Sequence, residues 1–366
     1  MKIISSVLKK ALYPSLSRAG AFRRSSASGL AVVTYHGVLP QGYEPLDSTF
    51  DGHLIRADML RRQLRLLKAH YNLISPDDAL AWRAGLGDLP PRSVLLTCDD
   101  GLLNCVTDML PVLQEEQVCC LFFVTGASTA ESRSMQWYEE LFLLFLRAPA
   151  GPFHIASAGI AISGDLQGRE NRRMIWWDCV KRLSQTDAGS RTSFLHAARI
   201  QFGLDGNGDF DLGNFASSRR FGLLTCSELR ELATSGMAIG AHTLTHPMLS
   251  QLPPELAYAE ISEIKICLES LLQKTVWALA YPFGDPQSVT PQVLEMAQRA
   301  GYLAAFLNFG GGLGVDLPPY ALPRIHVSAG MSLGEFEAHV SGFYGRLQRL
   351  AGRGPDVGTK RIGIEL

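Results

Sequence analysis

The sequence lacks several features that would place the chain in a special class. Nowhere do about 18 apolar residues follow one another, so no transmembrane helix is predicted. The 34 lysines and arginines are balanced by 35 aspartates and glutamates, and a net charge of −1 gives no basic excess with which to bind nucleic acid. The 366 residues, 46% of them hydrophobic, suffice for one enlarged α/β domain or two smaller ones.

The cysteines show no pairing pattern. There are seven, an odd number, and none is spaced as Cys-x-x-Cys. A disulfide framework is therefore not expected, and the pattern favours reduced, mostly buried thiols in a cytoplasmic protein.

The first 28 residues are basic but lack the pattern of a secretory signal. Lysines and arginines from Lys2 to Arg24 are interspersed with apolar residues, and no uninterrupted apolar stretch of about 7–15 residues follows them. We predict a flexible or loosely docked leader over residues 1–28. The alternative is peripheral membrane contact by a helix lying on an anionic surface, which would place the protein at the inner face of the membrane.

From residue 31 onward, short apolar runs alternate with amphipathic helical patterns. The runs at 31–35, 93–97, 118–124 and 276–280 are typical of buried strands. Such alternation indicates a parallel sheet with helices outside it. Over this length a closed or nearly closed barrel is the natural solution.

Helix boundaries are marked between the strands. A capping box begins at Thr225, Ser332 opens a second helix, and Pro291 and Gly301 mark the start and end of a third. These signals predict helices on the outside of the sheet.

One segment, residues 127–221, breaks the alternation. It holds three of the five tryptophans, Trp137, Trp176 and Trp177. We interpret it as an insertion with its own helices. It either caps the mouth of the barrel or packs on its outside, and the sequence does not decide between the two.

Two adjacent carboxylates follow the strand at 93–97. Asp99 and Asp100 stand in TCDDG, residues 97–101, where the chain bends beside a glycine. At such a bend the side chains can diverge, one toward a metal and the other toward a bound water. Asp-Gly is also ordinary turn chemistry.

Two histidines four residues apart follow the strand-like segment MAIGA. On a helical turn, His242 and His246 of HTLTH would meet on one face and could bind one metal; a pair of unconnected histidines is the alternative. With one aspartate they form a set that suits Zn²⁺, or alternatively Co²⁺, Ni²⁺, Mn²⁺ or Fe²⁺, and leaves the second aspartate free as a base. Both segments follow strands, so both are expected at the carboxyl edge of the sheet, where the active sites of barrels lie.

Two later segments add flat and basic side chains. AYPFG, residues 280–284, offers Tyr281 and Phe283 as apolar walls suited to the face of a sugar. LPRIHV places Arg324 and His326 in alternation, so on a strand both point to the same side. We predict Tyr281, Phe283 and Arg324 as substrate-binding residues.

Taken in order, TCDDG, HTLTH, YPFG and a late Arg-Ile-His resemble the motifs of the polysaccharide deacetylase (NodB-homology) family, and TYHG resembles the opening strand of many members. The resemblance covers roughly residues 31–345. It implies a distorted (β/α)₇ barrel with the insertion between the second and third active-site strands. We therefore expect a deacetylase domain over residues 29–350 and a C-terminal tail over 351–366.

The resemblance also implies a role for each motif residue. Asp99 matches the family's catalytic base and Asp100 its metal-binding aspartate, while His242 and His246 match the two metal histidines. His326 lies where the last motif places the general acid. The implied reaction removes the acetyl group from an N-acetylated sugar in a glycan or a glycan precursor, with lipid-linked precursors included, and releases acetate.

The sequence departs from the family pattern in three places. Cys98 stands where phenylalanine is common, and the last motif reads Arg-Ile-His-Val instead of Leu-x-Leu-His. Ala280 and Tyr281 stand where an arginine that supports the base is usual, and Arg324 is the candidate to replace it. Two other functions stay open: a hydrolase or deformylase acting on a non-sugar amide, and a catalytically inactive carbohydrate-binding relic of the same barrel.

Overall fold

Ten strands and fourteen α-helices are found in the computed structural model, which describes residues 12–24, 29–204, 214–311 and 318–350. The strands are β1 (Leu30–Tyr35), β2 (Asn72–Leu73), β3 (Ser93–Cys98), β4 (Leu121–Val124), β5 (Pro152–Ser157), β6 (Ile160–Asp165), β7 (Ala238–Ala241), β8 (Ala278–Ala280), β9 (Ala304–Gly310) and β10 (Leu322–His326). The helices are α1 (Tyr13–Arg18), α2 (Ser48–Asp51), α3 (Ala57–His70), α4 (Pro76–Arg83), α5 (Leu110–Glu115), α6 (Trp137–Arg147), α7 (Gly168–Leu183), α8 (Ala188–Gln201), α9 (Phe215–Phe221), α10 (Cys226–Thr234), α11 (Pro254–Leu272), α12 (Pro291–Arg299), α13 (Leu333–Val340) and α14 (Phe343–Leu350).

Seven parallel strands close into a barrel. They follow one another as β1, β3, β4, β7, β8, β9 and β10, and β10 pairs again with β1. β2 pairs only with the first residues of β3, outside this ring. The register between β9 and β10 shifts between Leu322 and Arg324, which distorts the barrel at that point. The predicted (β/α)₇ barrel is thus confirmed.

The predicted helix signals coincide with helix ends. Thr225 caps α10 in a capping box with Glu228, and the Ser332 hydroxyl accepts from the backbone N–H of Glu335 at the start of α13. α12 begins at Pro291 and ends just before Gly301, which has a left-handed φ of 79°.

The insertion between β4 and β7 has a hydrophobic core of its own. It contains α6 to α9 and also the antiparallel hairpin β5–β6, which the sequence analysis did not predict. Phe142 of α6 stacks on Phe50, which belongs to the segment after β1, with 3.7 Å between ring centroids. The core of the insertion therefore includes Phe50, from the segment that follows the first strand of the barrel. The buried core members from α6 to α8 include Leu141, Phe145, Phe153, Trp176, Phe194 and Ala198.

A fully buried arginine ties the insertion to this segment. Arg220 Nε donates to Asp51 at 2.7 Å, Nη1 donates to Glu139 at 2.8 Å, and Nη2 donates to the carbonyl of Phe50 at 3.0 Å. Burial raises the pKa of Glu139 to about 7, although Arg220 opposes this shift. Asp51 is the last residue of α2, in the segment after β1, and Glu139 lies on α6 of the insertion, so one guanidinium binds to both.

Part of the predicted leader packs against α13. Tyr13 and Phe22 form a small apolar cluster with Ala338, and Arg23 Nε donates to Glu337 at 2.7 Å. The remaining residues of the leader, and the tail over 351–366, lie outside the described residues, so the predicted boundaries and the membrane contact stay predictions. Within the described ranges, no helix combines the length and the apolar character needed to cross a membrane.

Candidate active site

The carboxyl ends of β3 and β7 bring an aspartate and two histidines together. Asp100 Oδ1 lies 3.5 Å from His242 Nε2 and 3.4 Å from His246 Nε2. One possible ligand atom from each residue lies within 4.8 Å of the other two, and all three side chains are buried. The three residues that the sequence indicated as metal ligands therefore form one cluster.

The histidine pair does not lie on a helical turn, so that prediction was wrong. Residues 242–246 form an irregular loop in which Thr243 and His246 have left-handed φ values of 62° and 55°. The hydroxyl of Thr243 accepts from the backbone N–H of His246 at 3.2 Å. Asp100 has a φ of 76° as well. Such backbone is costly for residues other than glycine, and it is found preferentially at functional sites.

Hydrogen bonding around the cluster leaves a place for a cation. His242 Nδ1 lies 2.7 Å from the carbonyl oxygen of Ala280, which requires a proton on Nδ1. In the neutral ring Nε2 is then an acceptor, and it faces an acceptor oxygen of Asp100. His246 Nδ1 is buried without a partner among the described residues. A divalent cation between one carboxylate oxygen and two imidazole nitrogens resolves the acceptor–acceptor contacts, and this donor set suits Zn²⁺ and similar ions.

The pKa values of the two histidines in the cluster shift in opposite directions. Burial lowers the pKa of His242, but Asp100 and Asp99 raise it more, so the net shift is upward. For His246, burial and the neighbouring His242 outweigh Asp100, and its pKa is lowered. At least one imidazole thus faces Asp100 uncharged at neutral pH, as a metal ligand must.

Asp99 turns to the other side and is bound by an arginine. Arg324 Nη1 and Nη2 donate to its two carboxylate oxygens at 2.7 and 2.5 Å, while Nε donates to the carbonyl of Leu307 at 2.7 Å. Burial alone would raise the pKa of Asp99, but Arg324 and then His242 lower it below its usual value. Asp99 is therefore ionised at neutral pH and able to accept a proton.

Arg324 itself is fully buried, with no exposed side-chain surface. Its nitrogens are engaged by Asp99 and the backbone, so the predicted contact with substrate finds no support in this geometry. The pair of Arg324 and Asp99 agrees with the prediction that Arg324 replaces the arginine that supports the base in the family.

His326 lies on the same strand two residues later and lines the same cavity as Asp99. Its ring centroid is 4.9 Å from that of His36, and the ring of His53 follows at 5.3 Å from His36. Burial lowers the pKa of His326 to about 4, so the residue is neutral at rest near neutral pH. The general-acid role that the last motif implies for His326 therefore requires a proton that reaches the ring during the reaction.

These groups line a cavity of about 340 Å³. The barrel supplies the polar residues together with Tyr281 and Phe283, and the insertion supplies an aromatic wall. Tyr281 is buried, and its hydroxyl donates to the carbonyl of Tyr320 at 3.0 Å. The insertion therefore borders the site and does not only pack outside the barrel. The lining residues that the sequence analysis did not single out for the site are His36, Phe50, His53, Tyr138, Trp176, Trp177, Val180, Asp285 and Asn308.

Comparison with known proteins supports the resemblance seen in the motifs. The family model for polysaccharide deacetylase matches residues 210–305, a stretch that includes HTLTH and AYPFG. A protein of Bacillus subtilis (strain 168), YxkH, whose name places it with the polysaccharide deacetylases, is 30% identical over 117 residues. This match covers 32% of the present chain and 41% of the length of that relative.

Two solved structures share the fold over most of the chain. Streptococcus pyogenes deacetylase PplD, solved in complex with acetate, aligns with a TM-score of 0.53 at 16% identity over 85% of this chain and 98% of its own. IcaB from Ammonifex degensii aligns with a TM-score of 0.52 at 19% identity over 86% and 97%. The chain thus has the barrel fold of these proteins, and its residues 210–305 match the polysaccharide deacetylase family model, in agreement with the resemblance that its motifs indicated.

Proposed function

We propose that this protein is a metal-dependent hydrolase that removes the N-acetyl group from an amino sugar of a glycan or a glycan precursor and releases acetate. The observation that carries the proposal is the cluster of Asp100, His242 and His246 beside an ionised Asp99 in one cavity. The likeness to deacetylases supports the class of reaction, hydrolysis of a carbon–nitrogen bond of an amide.

The three clustered residues would hold the metal, for which we propose Zn²⁺. Bound there, the ion supplies Lewis acidity, which lowers the pKa of a water from about 15.7 toward about 7 and polarises a carbonyl. His242 is held for this task by its hydrogen bond to the carbonyl of Ala280, which fixes the ring and leaves Nε2 for the ion.

Asp99 acts as the base in this proposal. Its carboxylate takes a proton from the attacking water as the new carbon–oxygen bond forms at the acetamide carbon. The two hydrogen bonds from Arg324 keep the carboxylate ionised and fix its direction. The carbon–nitrogen bond then breaks, and the amine nitrogen needs a proton to leave.

We assign His326 to this second proton transfer. Since its pKa is about 4, the ring cannot store a proton at rest near neutral pH. It must receive one during the reaction, and in this proposal Asp99 passes on the proton that it took from the water, so the carboxylate is ionised again when His326 hands the proton to the amine. His326 thus passes a proton to the amine and is neutral again at the end.

The test is acetate release from a panel of N-acetylated sugars: a nucleotide sugar, a lipid-linked precursor and a soluble oligosaccharide. We expect release from at least one donor, loss of release with a chelator, and recovery with added Zn²⁺. Full activity in excess chelator, in protein from which no metal is recovered, would contradict the proposed mechanism.

A further inference from the structure

The cavity has two walls of different chemistry. The barrel wall carries the acidic and imidazole groups described above, whereas the insertion wall is formed by Tyr138, Trp176, Trp177 and Val180. At about 340 Å³, the cavity is near the lower end of the range for small-molecule sites, about 300–1,000 Å³. Its size suits one or two sugar rings rather than a long stretch of polymer.

The two tryptophans of the insertion wall differ in their freedom to meet a ligand. Trp176 is 7% exposed, and its indole N–H donates to the carbonyl of Tyr138 at 2.7 Å, so it is part of the packed wall. Trp177 lines the same cavity and is 40% exposed, one of the few large apolar side chains left open to solvent. Its ring centroid is 5.4 Å from that of Trp176 and 5.8 Å from the ammonium nitrogen of Lys181, which lies over the ring.

A polar atom of the cavity is also left without a partner. Asn308 lines the cavity from the end of β9, and its side-chain oxygen is buried with no hydrogen bond within the described residues. A buried acceptor of this kind is costly unless something donates to it. A sugar hydroxyl is a donor that would do so.

The backbone holds Asn308 in place. Its N–H donates to the carbonyl of Gly284 at 3.0 Å. Gly284 has a φ of 60°, and a Cβ added there would lie 2.4 Å from the Asn308 nitrogen, so only glycine permits this contact. The YPFG loop therefore fixes the position of an acceptor that lies on another strand.

We infer that Trp177 and Asn308 form the sugar-binding subsite of this cavity, with Trp177 stacking on the apolar face of the ring and the Asn308 oxygen accepting from a donor group of the sugar. A pyranose has both a face of C–H groups and a rim of hydroxyls, which matches one flat aromatic and one acceptor. The insertion then determines which amino sugar enters. The inference rests on the proposed deacetylase function and adds to it the residues that recognise the ring.

Kinetics on two substrates separate ring recognition from amide chemistry. The first is the N-acetyl sugar that the wild type deacetylates best, and the second is N-acetylethanolamine, which carries the same amide without a ring. For Trp177→Ala and for Asn308→Ala we expect KM for the sugar to rise about 5–20-fold with kcat within about 2-fold, and no change on N-acetylethanolamine. Trp177→Phe should recover most of the loss, because it restores a flat ring.

The matched control is Met174→Ala. Met174 lies three residues before Trp177 on α7, is 60% exposed and does not line the cavity, so its removal should leave both substrates unaffected. Unchanged KM values in the Trp177 and Asn308 variants would overturn the inference. So would an equal loss of kcat on both substrates, which indicates a structural effect. Absence of acetate release by the wild type would instead overturn the proposed function itself.

Discussion

Arg324 of strand β10 binds both carboxylate oxygens of Asp99, the residue that directly follows strand β3. Both are buried, so the attraction is little screened by water. The pair keeps a buried carboxylate ionised where burial alone would favour its neutral form. The proposed base, which lies next to the proposed metal site, is thereby kept charged and held in one direction.

Removal of this arginine should shift the acid limb of the pH–rate profile. In Arg324→Met the pKa of Asp99 rises, because burial is then no longer opposed by the guanidinium. Activity should consequently fall at a higher pH than in the wild type, and kcat/KM as a function of pH measures the shift. Arg324→Lys keeps one positive charge, so its acid limb should lie between those of the wild type and Arg324→Met. An acid limb at the same pH in Arg324→Met, in protein shown to be folded, would contradict this role.

The two adjacent aspartates should respond differently to the same substitution. Asp99→Asn removes the base but leaves Asp100 and both histidines, so we expect metal content near that of the wild type with turnover lower by about 10²-fold or more. Asp100→Asn removes a charged ligand and should lose metal along with activity. Metal analysis of the purified variants decides the matter, and loss of metal from Asp99→Asn would show that the two roles are reversed.

The loss of kcat on removal of His326 should be larger for substrates whose leaving amine needs protonation more. His326→Ala is expected to lower kcat on an N-acetyl sugar by about 10²–10⁴-fold. On an N-acetylated aromatic amine, which leaves more easily, the loss should be much smaller. An equal loss on both substrates would mean that His326 positions the substrate and that another group donates the proton.

The buried triad of Arg220, Asp51 and Glu139 should be important for stability. Arg220→Met leaves two buried carboxylates without their cation, and we expect the free energy of unfolding to fall by about 3–5 kcal/mol. Adding Glu139→Gln should recover part of the loss, since one buried carboxyl group without its partner is then gone. Urea denaturation measures both. Arg182→Met, at an exposed pair with Asp178, is the control and should cost no more than about 1 kcal/mol.

The barrel and the cluster of ligands could be predicted because their signals are local. Asp99 and His242 directly follow apolar strands and Asp100 comes next after Asp99, and parallel strands bring such residues to one edge. The conformation of the histidine loop could not be predicted. Thr243 is β-branched and adopts a left-handed φ of 62°, which its residue type disfavours and only the folded barrel imposes.

The aromatic wall of the cavity and the buried ion pairs of Arg220 could not be predicted from the sequence either. Trp176 and Trp177 carry no motif, and they reach the cavity only because the insertion packs against the segment that carries Phe50. Arg220 meets Asp51 across 169 positions of the chain, and no periodicity connects the two. Long-range packing of this kind depends on the completed fold.

The left-handed backbone at Asp100, Thr243, His246 and Phe283 has a consequence for anyone who engineers this protein. Each such residue costs on the order of 1–3 kcal/mol relative to an unstrained one, and glycine or asparagine at these positions would relieve part of that cost. Selection of a library for heat resistance alone would therefore favour substitutions at these residues, most of which belong to the Asp100–His242–His246 cluster and to the wall of the cavity. The most thermostable variants from such a library would be folded barrels without enzymatic activity. Selection therefore has to include turnover from the first round.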